Sequence, residues 1–287
     1  RIYLIFFLFI ICESSFNCGL TQGKKIYLTP WIQEIKLPSQ YADIPNKSFF
    51  LDELGHIFLG KGNGLTIING KSSVHLHMDG PVYVTGNHPD TLFYACENDM
   101  GYLARSKHEG FHPVSLKHLF ASGLRSFFPE QLIQLQDSYF INTDRGVYYV
   151  GNGEGEHFPY PELETRLHKV DGELYLTVED QGIMQWKEAG FEEIVTQQQT
   201  GGVPVNLLGK QDSGLQMLNA NGEFYLLAKE GSDPQMVASF TDMDGITFID
   251  HINDQFLLVT TRDHGIGIYN HHGRSITLFE NRGGLPE

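Results

Sequence analysis

The sequence predicts an all-β fold of the β-propeller class, on three observations. A hairpin recurs about every forty residues, a glycine follows the turn in each copy, and helical periodicity is nearly absent. The 287 residues suffice for one large all-β domain. Apolar residues make up 41% and charged residues 19%, a balance that can bury a core and lies outside disordered compositions. Phe (20), Tyr (13) and Gly (31) favour strands closed by tight turns.

The copies are read in order along the chain. Residues 56–60 and 64–68 flank the turn Lys61-Gly62-Asn63, and residues 92–96 and 101–103 flank a turn over 97–100. Residues 139–143 and 146–150 flank Asp144-Arg145, and residues 174–178 and 182–184 flank Glu179-Asp180-Gln181. Residues 256–261 and 265–269 flank Arg262-Asp263-His264. The turn glycines at 64, 101, 146, 182 and 265 are 37, 45, 36 and 83 residues apart. The last step is twice the period, so a degenerate copy is expected inside it, at 221–227. A period near forty leaves room for two further strands per copy, which makes a four-stranded blade. One blade cannot bury both faces of its sheet and must stack on neighbours. Residues 278–287 read as the opening of another copy, so about six blades are expected here and seven in the intact ring. The best helical stretch, 114–126, is expected to decorate a loop.

The chain opens with Arg1 and an apolar run over 2–12, too short to span a bilayer, which takes roughly 20 residues. Residues 1–24 therefore read as a secretory signal peptide or N-terminal anchor, and 25–287 as the propeller, truncated at its C-terminus. Cys18 as a lipoprotein anchor is disfavoured by the preceding Asn17. After cleavage only Cys96 remains, a small buried hydrophobe on a strand rather than half of a disulfide or a metal motif. The net charge of -15 repels nucleic acid and argues against docking of this segment on anionic lipid through a basic patch, so a membrane is expected only through a downstream span.

Residues 30–41 and 49–70 resemble the first blade of two-component-regulator propeller proteins, in particular the sensor region of triple-tyrosine-motif regulators of the Bacteroidetes type. That pattern places Asp52, Gly55, Ile57, Phe58, Gly60, Gly64, Leu65 and Asn69-Gly70, with Leu59 and Asn69 departing from it. Met100-Gly101-Tyr102-Leu103 resembles the second blade, and 265–286 a later blade with the following Gly-Leu-Pro linker. The resemblance implies a periplasmic or extracytoplasmic propeller in a protein anchored in the inner membrane. A single membrane span and a histidine kinase or DNA-binding output would lie downstream, and the segment itself would not be an enzyme.

No catalytic motif, cofactor or metal set is expected. Gly60-x-Gly62-x-Gly64 is followed by a strand rather than a helix and reads as turn glycine, not a phosphate loop. His75-x-His77 puts two imidazoles on one strand face with no third ligand nearby in sequence. His271-His272 is placed in a hairpin turn, and Asp242-x-Asp244-Gly245 departs from a calcium loop at the strand-like 246–249. If every copy is the second-to-third-strand hairpin, the turn residues Asn63, Asn98, Asp99, Arg145, Asp180, Arg262 and His264 share one rim. Such a rim suits a polar small ligand such as an oligosaccharide, gripped by donors and acceptors with Phe and Tyr stacking on it. The plainer explanation is that Asn and Asp sit there because they form turns. A polysaccharide lyase or hydrolase, a protein-binding scaffold and a homodimer are the other expectations.

Overall fold

The computed structural model describes residues 2–6, 31–35, 44–70, 72–88, 91–106, 110–120, 126–188, 190–200, 205–211, 214–219, 222–228, 232–239, 246–253, 256–261, 265–270 and 275–279. Among them, six four-stranded antiparallel sheets follow one another along the chain, with strands in sequential order within each. The first sheet runs from Asn46–Leu51 to Ser72–His77, the second from Tyr83–His88 to Gly110–Ser115, and the third from Pro129–Leu135 to Glu154–Pro159. The fourth runs from Thr165–Val170 to Gly190–Thr196, the fifth from Val205–Gln211 to Gln235–Ser239, and the sixth from Ile246–Asn253 to Ser275–Phe279. The first strand of each sheet contacts the first strand of the next, so the sheets radiate from one axis. This is a β-propeller.

The hairpins legible in the sequence are the second and third strands of the blades: His56–Lys61 with Gly64–Asn69, Thr91–Cys96 with Asp99–Ser106, Ser138–Thr143 with Gly146–Gly151, Glu173–Val178 with Gly182–Lys187, Gly214–Asn219 with Glu223–Leu227, and Phe256–Thr261 with Gly265–Asn270. In the first five blades these strands are largely buried on both faces, so they read as continuous apolar runs rather than alternating ones. Successive residues serve opposite seams. Tyr94 packs with Phe58, Leu65 and Ile67 of the first blade, whereas its neighbour Ala95 packs with Tyr139 and Ile141 of the third. Phe140 joins Leu174 and Leu176 of the fourth blade, and Tyr175 joins Leu215 and Met217 of the fifth. Each such fully buried side chain contributes about 1.5–3 kcal/mol of hydrophobic stabilisation.

Near the axis, polar side chains replace ladder hydrogen bonds between neighbouring sheets. The Gln131 amide reads the Leu167 backbone, accepting from its N–H at 2.8 Å and donating to its carbonyl at 3.4 Å. Asn142, fully buried, donates to the Thr165 carbonyl at 2.7 Å and accepts from the Thr165 hydroxyl at 2.6 Å. Ser48 Oγ joins the first two blades through the Val82 carbonyl at 3.2 Å and the Val84 N–H at 3.0 Å.

Three details differ from the sequence expectations, the role of Gly101, the place of Trp31–Ile35 and that of Leu278 and Phe279, while the turn glycines and the 114–126 stretch agree with them. Gly64, Gly146 and Gly182 take the positive φ that the hairpins require, at 144°, 121° and 121°. Gly101 does not serve as a turn glycine: the turn is Glu97-Asn98, with Asn98 at φ 59°, and Gly101 lies inside strand Asp99–Ser106. A Cβ there would collide with the Val114 carbonyl, so close strand approach explains that glycine. Trp31–Ile35 lies outside the first blade and pairs antiparallel with Ile2–Phe6, within the stretch read as a leader. Leu278 and Phe279 belong to the last strand of the sixth blade, Leu278 pairing with Gly267, and do not open a new copy. In the 114–126 stretch, Val114 and Ser115 end a strand and Lys117–Leu119 forms a single 3-10 turn in a linker.

His168 on the first strand of the fourth blade meets Thr177 Oγ1 at 3.3 Å, and burial, assisted by the Arg166 charge, pushes its pKa down to about 3. The unfolded chain takes up this proton near the ordinary value of about 6.5 while the folded chain does not. Stability from this group is therefore complete above that pH and is lost as pH falls from 6.5 toward 3. Between these limits His168→Gln should flatten urea-unfolding free energy against pH by up to about 1.4 kcal/mol per pH unit. An unchanged slope contradicts this assignment.

Candidate functional site

The second-to-third-strand turns share one end of the propeller with the linkers that carry the chain between blades, and backbone bonds tie the two together. In the second blade the turn binds the linker that enters, Glu97 N to Asp79 O at 3.0 Å, and the linker that leaves, Asn98 N to Phe127 O at 3.2 Å. The third repeats this with Asp144 N to Phe128 O and Tyr160 N to Arg145 O, both 3.2 Å. In the fourth, Glu179 N donates to Glu164 O at 2.9 Å and Gln197 N to Gln181 O at 3.1 Å. Turn side chains reinforce the clasp by accepting linker N–H groups: Asn98 Oδ1 from Phe127 at 3.0 Å, Asp144 Oδ1 from Phe128 at 2.8 Å, and Glu179 Oε2 from Glu164 at 3.3 Å.

The residues expected on this rim therefore divide. Asn98 is held in the clasp and in the left-handed backbone conformation. Asp99 begins a strand and accepts from Met100 N at 2.9 Å, Ser115 Oγ at 2.7 Å and Tyr94 Oη at 3.1 Å, with Lys117 Nζ 3.8 Å away. Asn63 is half-buried in the first-blade turn. Arg145 and Asp180 are exposed at the tips of the third and fourth turns, and Arg145 Nε approaches Asp144 at 4.0 Å. Arg262, His264, His271, His272, Asp242 and Asp244 lie outside the described residues.

Three residues that spacing did not single out accompany Arg145 and Asp144: Tyr83, Glu130 and Arg166. Tyr83 is the first residue, and Glu130 and Arg166 are the second, of the first strand of their blades, so the topology gathers them at the axial mouth on the turn side. Asn142 Nδ2 links two of these strands, lying 3.4 Å from Glu130 Oε2 while bonded to the Thr165 carbonyl. Desolvation raises the Glu130 pKa, the carboxylates of Asp144 and Glu164 raise it further, and Arg166 opposes them. Tyr83 is raised by desolvation and by Glu130. Beside them Phe128, two residues before Glu130, leaves 46% of its surface exposed, and its backbone N–H is fixed by Asp144. The arrangement offers an aromatic platform flanked by carboxyl, guanidinium and hydroxyl groups. One signal was available: Glu130 and Arg166 each precede their turn glycine by sixteen residues (146 − 130 and 182 − 166).

Elsewhere the chemistry is quiet. Burial pushes the Cys96 thiol up to about 12, which leaves it unreactive at neutral pH. No group of three His, Cys, Asp or Glu converges as a metal site among the described residues. No helix among them is long and apolar enough to cross a membrane.

No family model matches the chain, and no curated protein matches it. Solved propellers do. The extracellular domain of the BT4673 hybrid two-component system from B. thetaiotaomicron is similar at 13% identity and TM-score 0.57, over 84% of this chain and 34% of that one. BamB from Moraxella catarrhalis is similar at 13% identity and TM-score 0.56, over 85% and 77%. Virginiamycin B lyase from Staphylococcus aureus is similar at 13% identity and TM-score 0.55, over 85% of both chains. At these identities the likeness shows the fold. This chain spans about a third of the BT4673 protein it matches.

The electrostatics of the mouth can be read by carboxyl carbon NMR. Asp144→Asn should lower the Glu130 pKa toward the ordinary carboxylate range, and Arg166→Gln should raise it further. A titration that moves in neither variant means that these groups do not share one site.

Proposed function

We propose that this chain is the ligand-sensing propeller of an extracytoplasmic signal-transduction regulator, of the two-component-regulator type its first-blade pattern resembles. The observation that carries the reading is the turn-side mouth. There Phe128 is exposed beside Arg145, Glu130 and Tyr83, in a ring whose other turn groups are largely consumed by the interblade clasp. An aromatic face flanked by hydrogen-bonding groups suits a polar saccharide, whose apolar sugar face stacks while its hydroxyls are satisfied at the edges. The shared fold with the extracellular domain of BT4673, over 84% of this chain, supports a sensing role. The apolar opening of the sequence supports export. A ligand that bridges the clasped turns of adjacent blades would favour one packing of the ring. It would thereby bias a membrane-linked output domain, a histidine kinase or a DNA-binding module, beyond this segment.

The role is tested in the cell with the full-length protein. Deleting 44–279 should abolish the change in reporter-gene output that follows exposure to a glycan mixture. Glycan-responsive output that survives the deletion contradicts sensing by this propeller.

A further inference from the structure

We propose that the outer edge of the first blade docks a second copy of this chain, which adds its own strand Ser72–His77 antiparallel to this one. In each blade the fourth strand is outermost and has one strand neighbour among the described residues. Such an edge presents backbone N–H and carbonyl groups that template a further strand, and folded proteins blunt it with charge, proline or a bulge. The other outer strands are blunted in these ways. Gly110–Ser115 carries Pro113, and Glu154–Pro159 carries Glu154, Glu156 and Pro159. Gly190–Thr196 carries Glu192 and Glu193 together with a register shift against its neighbour. Gln235–Ser239 and Ser275–Phe279 also pair through a register shift. Ser72–His77 has none of these devices. Its six residues, Ser-Ser-Val-His-Leu-His, include no proline and no Asp, Glu, Lys or Arg, and they pair with Gly64–Asn69 in unbroken register.

The side chains identify the occupant. Phe50, Phe58, Ile67 and Val74 are cross-strand partners in turn, so they form one apolar row across a single face of the blade. Phe58 and Ile67 are buried against the second blade, whereas Val74 ends the row at the edge with 59% of its surface exposed. An antiparallel copy centred on this residue sets Val74 opposite the partner's Val74, Ser72 opposite the partner's Leu76, and Ser73 opposite the partner's His75. The row of one copy then runs into the same row of the other. Charge favours the same meeting point. Two chains of net charge -15 repel across their acidic surfaces, and this strand is an outer edge where they meet without opposing like charges. The strand is already held extended by its own sheet, so pairing costs little further ordering. A two-fold axis closes the contact, and no other blade offers an unblunted outer edge on which assembly could continue.

The test is sedimentation velocity of the chain from about 10 µM to about 1 mM. A reversible monomer–dimer equilibrium is expected, because a single strand pair makes a small interface. Val74→Lys and Val74→Glu each set like charges face to face on the two-fold axis, and each should weaken association by at least about tenfold. An equimolar mixture of the two variants should dimerise again, since the axis then joins Lys to Glu. Met236→Lys, at an equally exposed position on the outer strand of the fifth blade, should leave association unchanged. Both residues are exposed, so the thermal unfolding midpoint should be retained in every variant. A chain that stays monomeric throughout the range overturns the proposal, as does a dimer that persists in Val74→Lys and Val74→Glu, or one that the mixture fails to restore. The saccharide mouth lies at the axis and this edge at the outer rim, so either outcome leaves that reading standing.

Discussion

Both faces of the second and third strands in the first five blades are largely apolar, and neither can be left to water. Tyr94 and Ala95, or Phe140 and Ile141, send adjacent side chains to different seams, so the second and third blades are each partner to two others. Stacking around an axis satisfies this demand, and the other features follow from it. The first strands meet at their edges, where Gln131, Asn142 and Ser48 supply the hydrogen bonds that sheets packed face to face cannot give one another. The linkers must cross from the outer strand of one blade to the inner strand of the next. Their backbone is satisfied by the turns they pass.

That last requirement governs the site. Turn positions rich in Asn, Asp and Glu invite a ligand-binding interpretation, yet Asn98, Asp144 and Glu179 use their side-chain oxygens on linker N–H groups. Arg145 and Asp180 are exposed at the tips. Phe128, whose backbone N–H is held by the same Asp144 that clasps its linker, leaves 46% of its surface exposed. The structural bond and the candidate binding platform thus meet at one residue.

The architecture was legible because a strand buried on both faces writes a strong signal, and a hairpin turn adds a glycine. Six hairpins and their place in the blade could be read, including the degenerate one at 221–227. First and fourth strands were harder. Asn46–Leu51 and Ser72–His77 are only exposed or half-buried and hold no continuous buried apolar run. Gly101 misled by position, since its role is close packing against Val114. The mouth was largely illegible. Tyr83, Glu130 and Arg166 are scattered in sequence and come together only through the topology, and Phe128 is held by a hydrogen bond to a residue sixteen positions away.

Calorimetric titration of the chain against a panel of neutral oligosaccharides tests most directly whether the turn-side mouth is a saccharide site. Saturable binding of at least one member is predicted, with loss in Phe128→Ala and in Arg145→Ala while the thermal unfolding midpoint is retained. A panel with no saturable binder, or a binder indifferent to both substitutions, would contradict it.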